Sequence, residues 1–330
     1  MSQHPSLATD APASAHRPVV RWALAAVVAL WVAAGLAGVY RYGHDYWVYR
    51  GFKPPTVAAG VATGRMTKVT FYSPTFHAPT SYLAYLPPGY AQGAAAGRRY
   101  GVLYALHGHP GQAINILEAG SIGADLDQLI ADHQARPMII VLPIGNGGPL
   151  GGGDTEWANT PAGNYDGVLL DVVRNVDQRF ATRADRAGRV LAGLSSGAYA
   201  AINVGLHHLR LFGNLQSWSG YFIQTRSGPF VNASPALLRA NSPALYVASL
   251  AREIHKGGLR AFLYVGRQDH QNRINQIGPF TAQLRAAGAQ ARYAKYPGAH
   301  DWALWRQQMP HMLRLASRWL RAPPPHGGHA

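Results

Sequence analysis

The most constraining feature of this 330-residue chain is one sharp junction between an apolar run and an alanine-rich helical run. Residues 189–194 read RVLAGL, and residues 195–208 read SSGAYAAINVGLHH. A short, continuously apolar run is typical of a strand that is buried on both faces of a parallel sheet. Gly193 and Gly197 flank the turn, where larger side chains would collide with the neighbouring strand and helix. We therefore expect a strand–turn–helix unit centred on Ser195.

Strand-like and helix-like segments alternate after residue 65. Apolar or alternating runs predict strands at 67–73, 81–86, 101–106, 137–143, 189–194, 215–220, 259–266 and 291–297. Helical spacing predicts helices at about 122–133, 165–179, 195–208, 273–287 and 301–320. Residues 145–164 are rich in Gly, Asn and Pro, which predicts irregular structure there. Strands that alternate with helices pair in parallel, so the predicted fold class is α/β with a mostly parallel, doubly wound sheet.

A run of nineteen uncharged residues, from Trp22 to Tyr40, precedes this alternating region. A helix of that length would be about 28 Å long, close to the hydrocarbon thickness of a bilayer. Trp22 and Tyr40 lie where interfacial aromatic residues are expected, and no polar stripe marks the run as a core helix. The sequence thus predicts one N-terminal transmembrane helix.

The resulting domain boundaries are sequence predictions. They are a disordered lead over residues 1–21, the anchor over 22–40, a linker over 41–65, one folded domain over 66–321 and a disordered tail over 322–330. Small residues such as Ala34 and Ala37 leave signal-peptide cleavage open, in which case the domain would be secreted. The length of the apolar run favours an uncleaved anchor, with the domain outside the cytoplasm.

Charge and cysteine content narrow the classes of partner. Thirty Lys and Arg residues against fifteen Asp and Glu residues give a net charge of +15, which favours anionic surfaces such as lipid headgroups, nucleic acid or cell-wall polymers. Arginine enrichment from a GC-rich genome explains the same count. The arginines form no nucleic-acid motif, so we expect no nucleic-acid partner.

The absence of cysteine removes disulfides and thiolate chemistry. The oligomeric state stays open.

Ser195 is the candidate nucleophile. Gly193-Leu194-Ser195-Ser196-Gly197 matches the G-x-S-x-G pattern of a strand-to-helix turn that lifts a serine hydroxyl above a sheet edge. The helix N-terminus there also favours a developing anion.

A serine hydroxyl needs an aligned base, and two later loops supply candidates. Asp269 follows the strand at 259–266, and His300 follows the strand at 291–297. The chain order Ser195, Asp269, His300 is that of the α/β-hydrolases. His270 and Asp301 are the neighbours most easily confused with the acid and the base.

An oxyanion hole needs two backbone N–H donors. We expect the amide of Ser196, directly after the nucleophile, and the amide of His109 in the loop after residues 101–106. Pro110 has no N–H, and Gly108 is the second choice. The His107-x-His109 spacing also fits a metal site, but no further carboxylate or histidine ligands follow closely, so we expect no metal.

Three aromatic residues are candidate substrate-binding residues. Trp157, in the loop after the Gly-rich segment 145–153, is predicted to form one pocket wall with that segment. Trp218 and Tyr221, at the end of the next strand, are predicted to form another. Packing under the loop is the alternative role of each.

Five segments carry a resemblance to a known family: LYALHGHPG (103–111), DTEWANTPAGNYDGVLLDVVRNVDQRF (154–180), RVLAGLSSGAYAA (189–201), VGRQDH (265–270) and YPGAHDWALWR (296–306). Over about residues 65–320 the chain resembles the esterase branch of the α/β-hydrolases, which includes the esterase D, feruloyl-esterase and mycolyltransferase (antigen 85) groups. The resemblance implies the α/β-hydrolase fold and carboxylic-ester chemistry through an acyl-enzyme, with no metal and no organic cofactor. His109 departs from the apolar residue common at that position in the family.

Three functions follow as hypotheses. The first is a membrane-anchored serine carboxylic-ester hydrolase that acts on an extracytoplasmic ester of a lipid, a cell-wall component or a carbohydrate. The second is an acyltransferase of the mycolyltransferase type, which shares the same first half-reaction. The third is a catalytically inactive, membrane-tethered binding domain.

Overall fold

The computed structural model describes residues 16–145 and 153–320. The chain divides into two compact units, Met1–Trp47 and Val48–Ala330. The described residues of the first unit form helix α1, which spans His16–Tyr49. The last two residues of this helix, Val48 and Tyr49, belong to the second unit.

Helix α1 is longer than the predicted anchor. It begins at His16, inside the predicted lead, and continues to Tyr49, inside the predicted linker. It continues because no strong helix-breaking signal follows Tyr40 until Gly51, at φ 85°, and the Pro54-Pro55 pair. Residues 20–49 are long and apolar enough to cross a membrane, although a signal sequence near the N-terminus would satisfy the same criteria.

The second unit is built on an eight-stranded sheet. The ten strands of the described residues are β1 (Arg65–Ser73), β2 (Ala78–Leu86), β3 (Val102–Leu106), β4 (Ile139–Pro143), β5 (Asn159–Thr160), β6 (Gly163–Asn164), β7 (Arg189–Leu194), β8 (Asn214–Trp218), β9 (Arg260–Gly266) and β10 (Gln290–Tyr296). The large sheet has the order β1-β2-β4-β3-β7-β8-β9-β10, and β5 pairs with β6 in a separate hairpin. Within the large sheet, strand β2 pairs antiparallel with β1 and with β4, and the remaining pairs are parallel. The prediction of a mostly parallel sheet is confirmed.

Helices cover both faces of this sheet. They are α2 (Tyr90–Ala95), α3 (Ala113–Leu117), α4 (Ile122–Ala131), α5 (Tyr165–Arg179), α6 (Ser196–His207), α7 (Pro235–Ala240), α8 (Pro243–Tyr246), α9 (Ala251–Gly257), α10 (Gln271–Ala286) and α11 (Trp302–Trp319). The buried residues of α5, α6 and α10 pack in one core cluster, and those of α4 and α11 in another. Strand β3 contributes alternate side chains to the two clusters, Tyr104 to the first and Leu103 to the second. The doubly wound arrangement is therefore confirmed.

Register brings several strand ends to one edge of the sheet. Leu106 of β3 pairs with Gly193 of β7, and Leu194 pairs with Trp218 of β8. Tyr296 of β10 pairs with Gly266 of β9. Because these strands are parallel, the loops that follow them meet at the carboxyl edge, where ligands bind in open α/β sheets.

Candidate active site

Ser195 stands on a strained turn between β7 and α6. Its φ of 56° and ψ of −121° lie in a region that residues other than glycine rarely adopt. A Cβ on Gly193 would come within 2.4 Å of the Gly197 carbonyl oxygen, and a Cβ on Gly197 within 2.2 Å of the Leu106 carbonyl oxygen. Glycine is therefore required at both positions, because neighbouring backbone atoms lie too close for a Cβ. The Ser195 N–H donates to the Trp218 carbonyl oxygen at 3.0 Å, which ties the turn to β8.

His300 reaches Ser195 from the loop between β10 and α11. Its Nε2 lies 2.9 Å from the Ser195 Oγ. The imidazole packs edge-on against the ring of Trp305, with the ring centroids 5.0 Å apart. Its side chain is 17% exposed, so one edge of the ring stays open to a cavity. This geometry allows direct proton transfer between the hydroxyl and the imidazole.

Asp269 holds the other nitrogen of the same imidazole. Its Oδ2 lies 3.0 Å from the His300 Nδ1, and its side chain is fully buried. Its Oδ1 accepts the His270 N–H at 2.6 Å and lies 3.6 Å from the Arg273 Nη1. Burial alone would raise the pKa of Asp269. The hydrogen bond and charge of His300, the His270 N–H and the Arg273 charge outweigh burial, so the pKa of Asp269 lies below its usual value.

The two neighbouring residues take other positions. Asp301 is the N-cap of α11, where its Oδ1 accepts the Leu304 N–H at 3.0 Å. The ring centroid of His270 lies 5.8 Å from that of His300. The side chains of Ser195, His300 and Asp269 therefore form one hydrogen-bonded series, and the side chain of neither neighbour is part of it.

The loop after β3 lies directly against Ser195. A Cβ on Gly108 would come within 2.8 Å of the Ser195 Cβ and 3.0 Å of the Leu194 carbonyl oxygen. His109 lines the cavity that contains Ser195 and His300. Ser196 is the first residue of α6, so its N–H belongs to the free amides of a helix N-terminus. The two predicted oxyanion donors thus flank the nucleophile from the β3 loop and from α6.

His107 supports that loop from below. Its Nδ1 lies 2.9 Å from the Gly108 carbonyl oxygen, and its Nε2 lies 3.3 Å from the amide nitrogen of Gly145. Burial lowers the pKa of His107 to about 4. The ring is therefore neutral at neutral pH, with Nδ1–H as donor and Nε2 as acceptor. His107 is therefore a buried histidine that bridges two loops.

A cavity of about 300 Å³ opens above Ser195 and His300. Its other walls come from the loop Gly108–Gly111, from Arg50, and from Trp302 and Trp305 of α11. Sequence reasoning missed these last three residues. The aromatic pair has a signal in the sequence, because it follows His300 directly within the segment YPGAHDWALWR. Arg50 has none, because it lies 145 positions before Ser195.

Two of the predicted pocket residues are corrected by the structure. Trp157 is 3% exposed, packs against Gly145 and donates its indole N–H to the His107 carbonyl oxygen at 3.1 Å. Trp218 is 1% exposed and donates its indole N–H to the Gln216 Oε1 at 3.1 Å. Both rings are packing residues because their N–H groups find partners inside the domain. Residues 146–152 of the Gly-rich segment lie outside the described residues.

Tyr221 lines a second, more polar cavity of about 410 Å³, which also includes Glu156, His270 and Arg273. Its ring stacks on Tyr199 with the centroids 5.2 Å apart, and its hydroxyl donates to the Glu156 carboxylate. The Arg273 guanidinium lies 5.4 Å from the centroid of the Tyr221 ring. Arg273 thus contacts both this cavity and Asp269.

The chain is similar in sequence to known esterases. Residues 73–316 match the model of the family described as "Putative esterase". A curated "Endo-1,4-beta-xylanase/feruloyl esterase" of Xylanibacter ruminicola is 26% identical over 273 residues, which cover 82% of this chain and 32% of the relative. The chain therefore spans about a third of that relative's length.

Solved structures show the same fold. A ferulic acid esterase superposes with a TM-score of 0.69 at 22% identity, covering 78% of this chain and 99% of its own. An S-formylglutathione hydrolase from Agrobacterium tumefaciens superposes with a TM-score of 0.64 at 14% identity, covering 82% of this chain and 100% of its own. Both similarities confirm the α/β-hydrolase fold.

Proposed function

The chain belongs to the esterase family, and from this premise we propose that it is a serine carboxylic-ester hydrolase that works through Ser195, His300 and Asp269. The observation that carries the proposal is the pair of hydrogen-bond distances, 2.9 Å from Ser195 Oγ to His300 Nε2 and 3.0 Å from His300 Nδ1 to Asp269 Oδ2. This arrangement of nucleophile, base and orienting acid is the one that acyl transfer by serine requires.

In the first half-reaction, His300 Nε2 takes the Ser195 proton while Oγ attacks the ester carbonyl carbon. Asp269 fixes the imidazole tautomer and stabilises the imidazolium that forms. The tetrahedral oxyanion is held by the N–H groups of Ser196 and His109, next to the N-terminus of α6. His300 then returns its proton to the departing alcohol, which leaves an acyl-enzyme on Ser195.

In the second half-reaction, water enters and His300 takes one of its protons. The resulting hydroxide attacks the acyl carbonyl and forms a second tetrahedral intermediate. That intermediate expels Ser195, which regains its proton from His300, and the carboxylic acid leaves. The cavity above Ser195 is open enough to admit water and a small acyl group.

The substrate belongs to the same proposal. The relatives named above include a xylanase/feruloyl esterase and a ferulic acid esterase, which supports an ester of an aromatic acid with a carbohydrate as the first candidate. Trp302 and Trp305 offer aromatic walls for such an acyl group. The apolar helix α1 supports anchorage to a membrane. The xylanase/feruloyl esterase relative supports a location outside the cytoplasm.

The experiment is a screen of 4-nitrophenyl alkanoates, methyl ferulate and feruloylated sugars with the full-length chain in detergent. We expect turnover of at least one ester class by the wild type and a loss of several orders of magnitude in Ser195→Ala. Equal turnover by the two proteins would rule out Ser195 as the nucleophile.

A further inference from the structure

Two clefts lie at the amino edge of the large sheet, where the parallel strands begin. The first cleft, of about 520 Å³, includes the start of β9 and of β10, and its cations are Arg260, Arg285 and Arg292. The second cleft, of about 270 Å³, includes residues 98–101, directly before β3, and residues 136–138, directly before β4. Its cations are Arg98, Arg99, Arg136 and Arg183.

Helix α11 separates both clefts from the catalytic cavity. Trp302 and Trp305, near its start, line the catalytic cavity, and Trp319, its last residue, lines the first cleft. Leu320, the next residue, lines the second cleft. A helix of eighteen residues is about 27 Å long. The clefts are therefore distinct from the site that contains Ser195.

The clefts concentrate positive charge beyond what composition explains. Seven of their twenty lining residues are arginines and none is acidic, whereas 30 of the 330 residues of the chain are Lys or Arg. Among the described residues, the carboxylate at ion-pair distance from one of these seven guanidinium groups is that of Asp185, 3.7 Å from the Arg183 Nη2. Arginine enrichment alone would scatter such side chains over the surface, so their clustering has another cause.

The position of β10 explains only part of the cluster. Strand β10 is an edge strand of the sheet, and charged side chains on an edge strand prevent pairing with another chain. Arg292 lies on β10, but Arg260 lies on β9, inside the sheet, and Arg285 lies on α10. Arg99 and Arg136 lie between helices and strands. Protection of the edge therefore accounts for one of the seven arginines.

Backbone acceptors orient two guanidinium groups of the first cleft. The Arg285 Nε donates to the Ala291 carbonyl oxygen at 2.7 Å, and the Arg260 Nη1 donates to the Trp319 carbonyl oxygen at 3.5 Å. Both acceptors are neutral, so these bonds position the guanidinium groups without an opposite charge. A guanidinium has five N–H donors in a planar fork that matches a carboxylate. The first cleft therefore has donors for carboxylate groups.

Recessed apolar side chains lie beside these donors. Phe262, Leu315 and Trp319 line the first cleft, and each is only partly exposed. The C–H face of a sugar ring packs on such side chains, so a chain of sugar rings that carry carboxylates complements both the apolar groups and the arginines. A bilayer surface requires apolar side chains that project into it. In the described part of the chain, no large apolar side chain that lines either cleft is exposed, which favours the polysaccharide.

We propose that the two clefts bind a carboxylate-bearing polysaccharide, with the arginines on its acid groups and the apolar side chains on its sugar rings. The clefts hold the enzyme on an acidic glycan at a surface separate from the catalytic cavity. The net charge of +15 adds a long-range attraction for such a polymer. The inference goes beyond the proposed function and does not depend on it, because binding requires no turnover.

The test measures binding of a fluorescently labelled oligogalacturonate, which has one carboxylate per sugar, to the full-length chain in detergent. The quantity measured is Kd from fluorescence anisotropy. The neutral comparison is the carboxyl-reduced oligomer, in which each carboxylate is a hydroxymethyl group. We expect the wild type to bind the acidic oligomer at least about tenfold more tightly than the neutral one, because each fork contacts an ionised acceptor. We expect Kd to rise between about 50 mM and about 500 mM NaCl, because salt screens exposed charges.

Two double variants remove charge from the clefts. Arg260→Gln with Arg292→Gln changes the first cleft. Arg99→Gln with Arg136→Gln changes the second cleft, where both side chains are exposed. We expect each double variant to raise Kd for the acidic oligomer by about 10- to 30-fold, the loss of two charge-assisted hydrogen bonds in a partly exposed site.

Arg239→Gln with Arg252→Gln is the matched control. These two exposed arginines lie on α7 and α9 and line neither cleft. The control removes the same net charge as each cleft variant, so it separates local recognition from long-range attraction. We expect its Kd to stay within about twofold of the wild-type value. Thermal unfolding of each variant checks that it is folded.

The outcomes are distinguishable. A control variant that weakens binding as much as the cleft variants would assign binding to net charge alone, and equal binding of the two oligomers would remove carboxylate recognition. Either result, or no binding by the wild type, overturns the inference. Binding of phosphatidylglycerol vesicles but not of oligogalacturonate would make the clefts a membrane surface and would overturn it too.

The second cleft decides the test if the first double variant fails to fold. A wild-type Kd in folded Arg99→Gln with Arg136→Gln would then contradict the inference, and a weaker Kd would support it. Ser195→Ala should bind the acidic oligomer as the wild type does. A wild type that binds the oligomer but hydrolyses no ester would overturn the proposed function and support this inference.

Discussion

Gly108 lies so close to Ser195 that a Cβ on the glycine would come within 2.8 Å of the serine Cβ. The backbone of the loop after β3 therefore contacts the Ser195 side chain in the turn after β7, with no room for a methyl group between them. This contact fixes the distance between the nucleophile and the amides of the loop, which is the distance that oxyanion stabilisation depends on.

Replacing Gly108 with Ala should reduce kcat/KM by about 100-fold, the size of the loss of one oxyanion-hole donor, because the loop must move away from Ser195. Gly278→Ala is the control. Gly278 lies within α10, where a Cβ would meet only the Tyr293 side chain at 3.5 Å. We expect that variant to keep full activity. Comparable activity in the two variants would show that the close approach has no catalytic consequence.

Asp269→Asn tests the orienting acid. The amide cannot hold the His300 tautomer that accepts the Ser195 proton, so we expect kcat to fall roughly 10³- to 10⁴-fold with little change in KM. The measurement is steady-state hydrolysis of a 4-nitrophenyl ester. The control is Asp301→Asn, which keeps a side-chain oxygen to accept the Leu304 N–H and removes only the charge at the start of α11, so stability should fall by less than about 1 kcal/mol with kcat near the wild-type value. If Asp301→Asn were the more damaging of the two for kcat, the acid would be misassigned.

Arg273 should act on the reaction through Asp269. Its Nη1 lies 3.6 Å from the Asp269 oxygen that faces away from His300, and its charge contributes to the low pKa of that carboxylate. We expect Arg273→Gln to lower kcat by about tenfold with KM within twofold, because the carboxylate loses one of the groups that orient it. Exposed Arg267, in the loop that carries Asp269, is the comparison, and Arg267→Gln should retain wild-type kcat. A rise in KM alone would assign Arg273 to substrate binding instead.

Glu156 should make stability depend on pH. Burial, reinforced by the charge of Asp154, raises its pKa from the ordinary 4.5 to about 7. Below about pH 4.5 the carboxyl is protonated in both the folded and the unfolded chain, so it adds nothing to the pH dependence of the free energy of unfolding. As the pH rises to 7, the unfolded chain ionises while the folded one keeps its proton, so the free energy of unfolding falls, by about 3 kcal/mol, and then levels off.

The measurement is denaturant unfolding of wild type and Glu156→Gln at about pH 4 and about pH 8. We expect the decrease between these pH values to be smaller in the variant by that amount. Exposed Glu253, changed to Gln, provides the control and should leave the wild-type pH dependence unaltered. Identical pH profiles for wild type and Glu156→Gln would mean that this carboxyl ionises in the folded protein as it does in the unfolded chain.

Much of the fold was predictable because its strands are short apolar runs bounded by turn residues. The predicted strand 189–194 coincides with β7, and the predicted helix 165–179 coincides with α5. The helices between Pro235 and Gly257 were not predicted, because each is only four to seven residues long and too short to show a helical period. Such pieces form through tertiary packing, which a single sequence does not display.

The candidate site, too, has residues that the sequence predicts and residues that it does not. Ser195, Asp269 and His300 could be chosen because each follows a recognisable strand. Trp157 and Trp218 could not be distinguished from pocket residues, because burial of an indole depends on neighbours from other strands. Arg50 could not be placed at all, since residues 41–65 read as a linker. The position of this segment depends on the contacts that Val48 makes with Asn115 and Phe52 makes with Arg306.

The most direct test of the account is covalent labelling with a fluorophosphonate, which reacts with an activated serine hydroxyl. We predict that the wild-type chain is labelled at Ser195, as identified by peptide mass spectrometry, and that Ser195→Ala and His300→Ala are not labelled at this site. Labelling at another serine, or undiminished labelling of His300→Ala at Ser195, would contradict the claim that His300 activates Ser195.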